Sequence, residues 1–363
     1  MVTPPREPQS KTHSQRDEML SREGEFVPSA ETAPDKTAPL LFGEVSRLRA
    51  LLSWAIGLLG FLALILAVLY FGSLGRMIAL ARSARPAWML LALLVQAATY
   101  VSAALVWRQA LYRAGRQRSL RTLLPLGIAK LFADQVLPSG GISGTMLVVR
   151  GLIRRRVPAE IAMAAMLAGL VSYDFAYLMV VLASAGILWL HNRANLALVI
   201  GVAIFAVITI AIPTAVFGLK RWGDRPPIAW LSKWLGMTTL FRALVEAPTD
   251  LLRSPGLLVQ TAALQLGIFM LDALTLWLAF KAIGAVPAIW VVFVSFAIAS
   301  MVATIGPIPV GLGTFEAGSV GMLSFLGVPI EAALAATLLL RGVTFWLPML
   351  PGIWLARREF GRF

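Results

Sequence analysis

Apolar residues run in long blocks along most of this chain, at roughly 50–71, 86–107, 122–153, 157–190, 195–219, 256–281, 286–328 and 330–356. Several blocks reach the ~20 residues that a helix needs, at ~1.5 Å rise per residue, to cross ~30 Å of hydrocarbon. Two blocks are not simple spans. The third is interrupted by Pro138, Gly140, Gly141 and Gly144, and the seventh by Gly306, Pro307, Pro309, Gly311 and Gly313. Each predicts a helix broken at membrane depth, where irregular backbone survives only if it is packed in protein or lines a wet cavity.

The placement of Lys and Arg orients the blocks, because short cytoplasmic loops collect them. Arg108, Arg113, Arg116, Arg118 and Arg121 lie before the third block, and Arg150, Arg154, Arg155 and Arg156 at its end. With both groups cytoplasmic, 122–153 enters from that side and returns to it as a broken re-entrant hairpin. Carried onward, the rule makes 286–328 a hairpin from the outer side and places both termini in the cytoplasm, with Arg76, Arg82 and Arg85 as the dissent. The chain is therefore expected to be an all-α, polytopic membrane protein of two inverted repeats, 46–194 and 195–363, each of three spans plus one broken hairpin. Paired Gly/Pro-broken segments at corresponding positions are a sequence pointer to a transporter's binding site. Residues 1–45, rich in Pro, Ser, Thr, Glu and Lys, are expected to be a disordered tail with no cleaved signal peptide. Residues 226–252, with Trp230 and Trp234 among basic and acidic side chains, are expected to form an amphipathic helix on the cytoplasmic interface.

Composition agrees. The 363 residues are 58% hydrophobic and 14% charged, against about 45–50% and about 25% for soluble domains. The net charge of +14 belongs to the membrane part, since residues 1–49 hold seven basic and eight acidic side chains. Cytoplasmic loops facing anionic headgroups account for it, so no nucleic acid is expected as a partner. With no cysteine, disulfides, thiolate nucleophiles and Cys-ligated metals are excluded.

Catalytic motifs fail on inspection. Pro138-Ser139-Gly140-Gly141 lacks the histidine of the Pro-Ser-Gly-His in membrane lipid phosphatases. Gly141-Ile142-Ser143-Gly144 matches the Gly-x-Ser-Gly of rhomboid proteases, but His13 and His191, the two histidines, are badly placed to serve Ser143 as a base. Residues 72–86 have no acidic group for a multi-span glycosyltransferase, and no phosphate-binding loop is present. No enzymatic activity, metal or cofactor is expected.

The run Gly306-Pro307-Ile308-Pro309-Val310-Gly311-Leu312-Gly313-Thr314-Phe315-Glu316, followed by Leu340-Arg341-Gly342 in the last block, resembles the transmembrane region of lysylphosphatidylglycerol synthases. That flippase-like family includes the membrane module of the multiple peptide resistance factor, and the resemblance covers about 46–363. It implies a bacterial inner-membrane protein that moves a lipid between leaflets. By position, Gly311, Gly313, Glu316 and Arg341 match the second motif, and Pro138 and Arg150 the first. Thr145 stands where an acidic residue is expected, no arginine precedes Asp174, and no aminoacyl-transferase domain follows, so aminoacyl-lipid synthesis is not expected.

Ionisable residues inside the membrane cost about 2.5–3.5 kcal/mol each on insertion scales and mark candidate sites. Here they are Lys130 and Asp134, four apart on one helical face, then Asp174, Asp272, Glu316 and Arg341. Together with Arg150 they form the expected substrate-binding set. Glu316 and Arg341 either pair directly or share a cleft in which Arg341 holds a lipid phosphate. The resulting reading is a transporter of an anionic or aminoacylated phospholipid, or another envelope lipid, and it leaves a homo-oligomer open. The alternative is a non-transporting membrane partner of an envelope-lipid enzyme. The lack of cysteine makes topology testable: single cysteines at Ser119 and Ser232 should be shielded from external reagent in intact cells, and one at Asn192 should react. Labelling at Ser119 or Ser232 would overturn the inverted arrangement.

Overall fold

The structure is a computed structural model that describes residues 84–136, 142–221, 254–305, 311 and 313–360. These fall within one compact unit, Glu44–Phe363. The tail expected over 1–45, the block at 50–71 and the amphipathic segment at 226–252 lie outside the described residues, as does Ser232.

Every regular element among the described residues is helical. In order they are α1 (Pro86–Arg113), α2 (Leu120–Val136), α3 (Ile142–Ile153), α4 (Ala159–Leu190), α5 (Leu196–Arg221), α6 (Pro255–Ala282), α7 (Ile289–Ile305), α8 (Thr314–Phe325) and α9 (Ile330–Arg341). A π-helical turn, Gly342–Trp346, then leads directly into α10 (Leu347–Phe360). Four runs are long and apolar enough to cross a membrane: α1, α4, α6 and the continuous Ile330–Arg358. Large apolar side chains such as Leu94, Phe175, Leu182, Val207 and Trp354 are also exposed on the outside. Water would penalise so much exposed apolar surface, and a bilayer does not. The protein is a membrane protein.

Hydrogen bonds set the course of the chain. Arg118 donates to the carbonyls of Arg155, at 2.5 Å, and Arg156, at 3.4 Å, so α2 starts and α3 ends on the same side. Arg113, at the end of α1, reaches Gln260 near the start of α6 at 3.5 Å, which adds both to this basic end. At the opposite end the Arg85 amide donates to the Ala282 carbonyl at 2.8 Å, and the His191 ring stacks on Trp290 at 4.0 Å. Helices α1 and α6 therefore run antiparallel along their whole length, and α4 crosses from the basic end to the other. The α2–α3 hairpin opens at the basic end and the α7–α8 hairpin at the opposite one. Their arms of 17 and 12 residues cover about 26 and 18 Å, each short of a full crossing.

The pattern of lengths recurs. Helices of 28, 17, 12 and 32 residues (α1–α4) are followed, after α5, by helices of 28, 17 and 12 and then the continuous run of 12, 5 and 14. Packing recurs as well. Helix α1 lies on α6, the most extensive contact in the protein, while α2 packs on α10 and α7 packs on α4. Each hairpin has its own apolar core. One gathers Leu111, Leu123, Leu126, Val148 and the first half of α4, and the other gathers Leu188, Phe280, Val292, Leu323 and Leu340 with the second half of α4.

The arms of the second hairpin approach closely at Gly318, where an added Cβ would stand 3.1 Å from the Ala299 Cα. That atom is backbone and cannot swing away. Gly318→Val should force the arms apart and destabilise the protein by about 1–3 kcal/mol. Gly321→Ala on the same helix, with nothing within 4 Å, should leave stability near wild type. Thermal unfolding of the purified variants checks both, and equal losses would mean that the close approach is not what matters.

Candidate functional site

The second hairpin is broken immediately before α8. Gly311 has φ +66° and Gly313 φ +80°, left-handed conformations that a Cβ disfavours. A chain turning this way at membrane depth leaves backbone groups outside the helical ladder. Two side chains take them over. Glu316, in the first turn of α8, accepts the Gly313 N–H through Oε2 at 2.7 Å. Its Oε1 accepts from Arg341 Nε at 2.7 Å, and Arg341 Nη2 donates to the Gly311 carbonyl at 3.1 Å. The direct pair is thus the arrangement present. Glu316 is 2% exposed, so the pair is charge-assisted and shielded from solvent. The guanidinium lies 4.5 Å from the Phe315 ring centroid and 5.4 Å from that of Phe345, which hold its plane. Phe345 belongs to the π turn that starts right after Arg341. Arg341 Nη1 has no acceptor among the described residues.

The first hairpin solves the same problem with other residues. Lys130 Nζ contacts Asp134 Oδ2 at 2.5 Å, and Asp134 Oδ1 accepts the Gly144 N–H at 2.9 Å. Ser143 donates to the Ala133 carbonyl at 3.0 Å. In both hairpins a carboxylate holds a backbone N–H at the start of the helix that follows the break, while a cation balances its charge. One expectation needs correcting. Gly144 is not part of the break but sits in the first turn of α3. It is glycine because a Cβ there would overlap the Asp134 carboxylate and the Lys130 stem. Pro138, Gly140, Gly141 and Pro309 lie outside the described residues.

The remaining expected residues do not join either clamp. Arg150 is exposed near the C-terminal end of α3, away from the break. Asp174 is buried in α4 and its Oδ2 has no hydrogen-bond partner among the described residues; the same holds for Asp272 Oδ1 in α6. Both carboxylates lie close enough to Tyr173 to act on its ring electrostatically. Along α4 the residues Gly169, Ser172 and Asp174 fall between the stretches that feed the two apolar cores. Gln265 of α6 reaches the Gly169 carbonyl at 3.4 Å. A polar level therefore separates the two cores. Tyr177, just beyond it, shares a 3.1 Å hydrogen bond with Thr304 in the last turn of α7, tying α4 to the rim of the second break.

Sequence reasoning overlooked Phe315, Phe345, Tyr177 and the buried Gln96 of α1. The signal for Gln96 was its place, an uncharged polar residue in the middle of an apolar span. No comparable signal marks the two phenylalanines, which are ordinary membrane residues until folding sets them on Arg341.

A comparison with curated proteins found no match. The family model described as "Lysylphosphatidylglycerol synthase TM region" matches residues 51–352, a stretch that contains both hairpins, both clamps, α1, α4, α6 and most of the continuous Ile330–Arg358 run. The chain belongs to the lysylphosphatidylglycerol synthase transmembrane-region family.

Proposed function

We propose that this protein moves a phospholipid or a related envelope lipid between the leaflets of the bacterial inner membrane, as a non-enzymatic transporter with its basic end in the cytoplasm. The observation that carries this reading is the pair of clamped breaks reached from opposite ends. Two hairpins entering from opposite faces, antiparallel α1 and α6, and the exchanged packing of α2 on α10 and α7 on α4 support an inverted repeat. In transporters of that kind the substrate site lies near the bilayer midplane, at broken helices along the repeat interface. The polar level between the two apolar cores offers a path for a headgroup whose tails stay in lipid. Arg341 is the group best suited to a phosphate, since Glu316, Gly311 and the two phenylalanines hold its fork in place while Nη1 has no acceptor among the described residues.

Reconstitution tests the reading. Proteoliposomes carrying fluorescent phosphatidylglycerol should lose the protected inner-leaflet fluorescence, after addition of a membrane-impermeant quencher, faster than protein-free liposomes. Equal rates would sink the transport reading.

Mutation separates the structural part of the clamp from the functional part. Glu316→Gln leaves Arg341 buried without its counter-charge, and Arg341→Gln does the same to Glu316. Each should cost about 3–5 kcal/mol of stability, and the double variant should recover much of it. Arg341→Lys keeps the charge but loses the planar fork that meets Glu316 and Gly311 together. It should retain most of the stability while lipid movement falls at least about tenfold, or ~1.4 kcal/mol. Full lipid movement in Arg341→Lys would show that any cation suffices there. Gly311→Leu places a branched side chain at φ +66°, with its Cβ only 2.8 Å from the Ala303 Cβ, and should insert yet fail to move lipid.

A further inference from the structure

The seam between α1 and α6 holds polar atoms that neither hairpin clamp uses. Gln96 is the eleventh residue of α1, and Asp272 is the eleventh from the end of α6. The Arg85–Ala282 hydrogen bond ties those two ends together. Both residues therefore sit about 16 Å from that end, near the mid-depth of a ~30 Å hydrocarbon layer. Tyr100, one turn further along α1, and Asp272 both flank the Gln96 side chain.

Thr99 fixes how the Gln96 amide is turned. Its hydroxyl hydrogen goes to the Gln96 backbone carbonyl at 2.7 Å, so the Thr99 oxygen is left to accept, and it faces the amide nitrogen at 2.9 Å. Gln96 Oε1 is then an acceptor with no donor, on a residue that is 4% exposed. Tyr100 Oη and Asp272 Oδ1 are likewise buried with no hydrogen-bond partner among the described residues. Three buried oxygen atoms, one of them from a carboxylate, thus lie about the Gln96 side chain at mid-depth, with no cationic side chain against them among the described residues.

Among the described residues, few other ionisable groups face Asp272. Helix α4 contributes Tyr173, with Asp174 beside it in the chain. Helix α7 has no ionisable side chain, and α9 carries Glu331 in its first turn and Arg341, which is paired with Glu316. A carboxylate left in this state within hydrocarbon is strongly disfavoured, and an added positive charge removes the conflict.

We infer that Asp272, Gln96 and Tyr100 form a binding site for one small monovalent cation, either a proton on the carboxyl group or a sodium ion held by the three oxygens. Resting on the transport reading, the inference extends to coupling. The site lies on the contact between α1 and α6, the helices that precede the hairpin in each half, where occupancy changes the balance between them, so loading and release of the cation drive lipid movement.

A ligand held only by the folded protein raises its stability with concentration, whether or not any lipid moves. Thermal unfolding of the purified full chain is therefore the first test. Wild type should gain stability when sodium replaces choline at constant pH and ionic strength, which identifies sodium, or when the pH of sodium-free buffer is lowered, which identifies the proton. Asp272→Asn, neutral and nearly isosteric, should lose that part of the response, and Asp272→Ala provides the same comparison if the amide disturbs packing. If sodium is the ion, Gln96→Leu should raise the concentration required at least tenfold. Identical sodium and pH responses in wild type and both Asp272 variants overturn the site.

Proteoliposomes with fluorescent phosphatidylglycerol then test coupling. An imposed gradient of the identified cation should change the rate of lipid movement at least tenfold in wild type and leave Asp272→Asn unaffected. Wild-type movement that ignores the gradient overturns the coupling. Absence of lipid movement under every condition overturns the transport reading instead, and the unfolding measurement still decides the cation site.

Discussion

A backbone N–H or C=O group at membrane depth has no water to bond, and the rest of this structure is arranged around satisfying the few that its helices cannot. Glu316 takes the Gly313 N–H and Asp134 the Gly144 N–H. A carboxylate in that position brings a second cost, its own charge, which Arg341 and Lys130 offset. Arg341 goes further and covers the Gly311 carbonyl with the other side of its fork. The packing follows from this. Helix α9 must lie against α8 for Arg341 to reach, and the Ser319–Thr337 hydrogen bond at 2.9 Å holds the two helices one turn away.

Within each hairpin the arms are local in sequence and enclose an apolar core. Between hairpins the connection is long-range and falls to α4 and α6, which cross both cores and carry Ser172, Asp174, Gln265 and Asp272 where the cores meet. The described interior is therefore apolar within the two cores and polar where they meet. A rigid soluble core would reverse that order. Under the proposed lipid transport, a polar level bounded by two apolar packs would serve the headgroup while α4 and α6, which enter both packs, keep them joined.

Much of this was legible from residue order, for a physical reason in each case. Crossing helices are set by length and hydropathy alone, so the runs at 86–107, 157–190 and 256–281 map onto α1, α4 and α6 within a few residues at most ends. The second break was legible because Gly311 and Gly313 take conformations that other residues resist. The Glu316–Arg341 pair was legible because a buried charge needs a partner and few were on offer. The role of Gly144 was not, since a glycine required by close approach looks the same in sequence as one required by a turn. The Thr99-oriented Gln96 was missed because uncharged polar residues are tolerated in spans, and only the packing of α1 on α6 shows that this one has an unused oxygen. The π turn at Gly342–Trp346 has no sequence signal that could have revealed it.

The antiparallel union of α1 and α6 also has a history written into it. Residue 85 bonds to residue 282, so nearly two hundred residues must leave the ribosome before α1 meets its main partner. At ~5–20 residues per second that interval is about 10–40 s. Throughout it the face of α1 that carries Gln96 and Tyr100 stands in the bilayer without the helix that will cover it, whereas the arms of each hairpin are neighbours in sequence and emerge together. Assembly is thus staged: the first hairpin comes early, the α1–α6 seam later, and the second hairpin, synthesised after α6, last. A nascent chain is most exposed to quality control, and most dependent on an insertase or chaperone that shields polar faces, while that seam is still open.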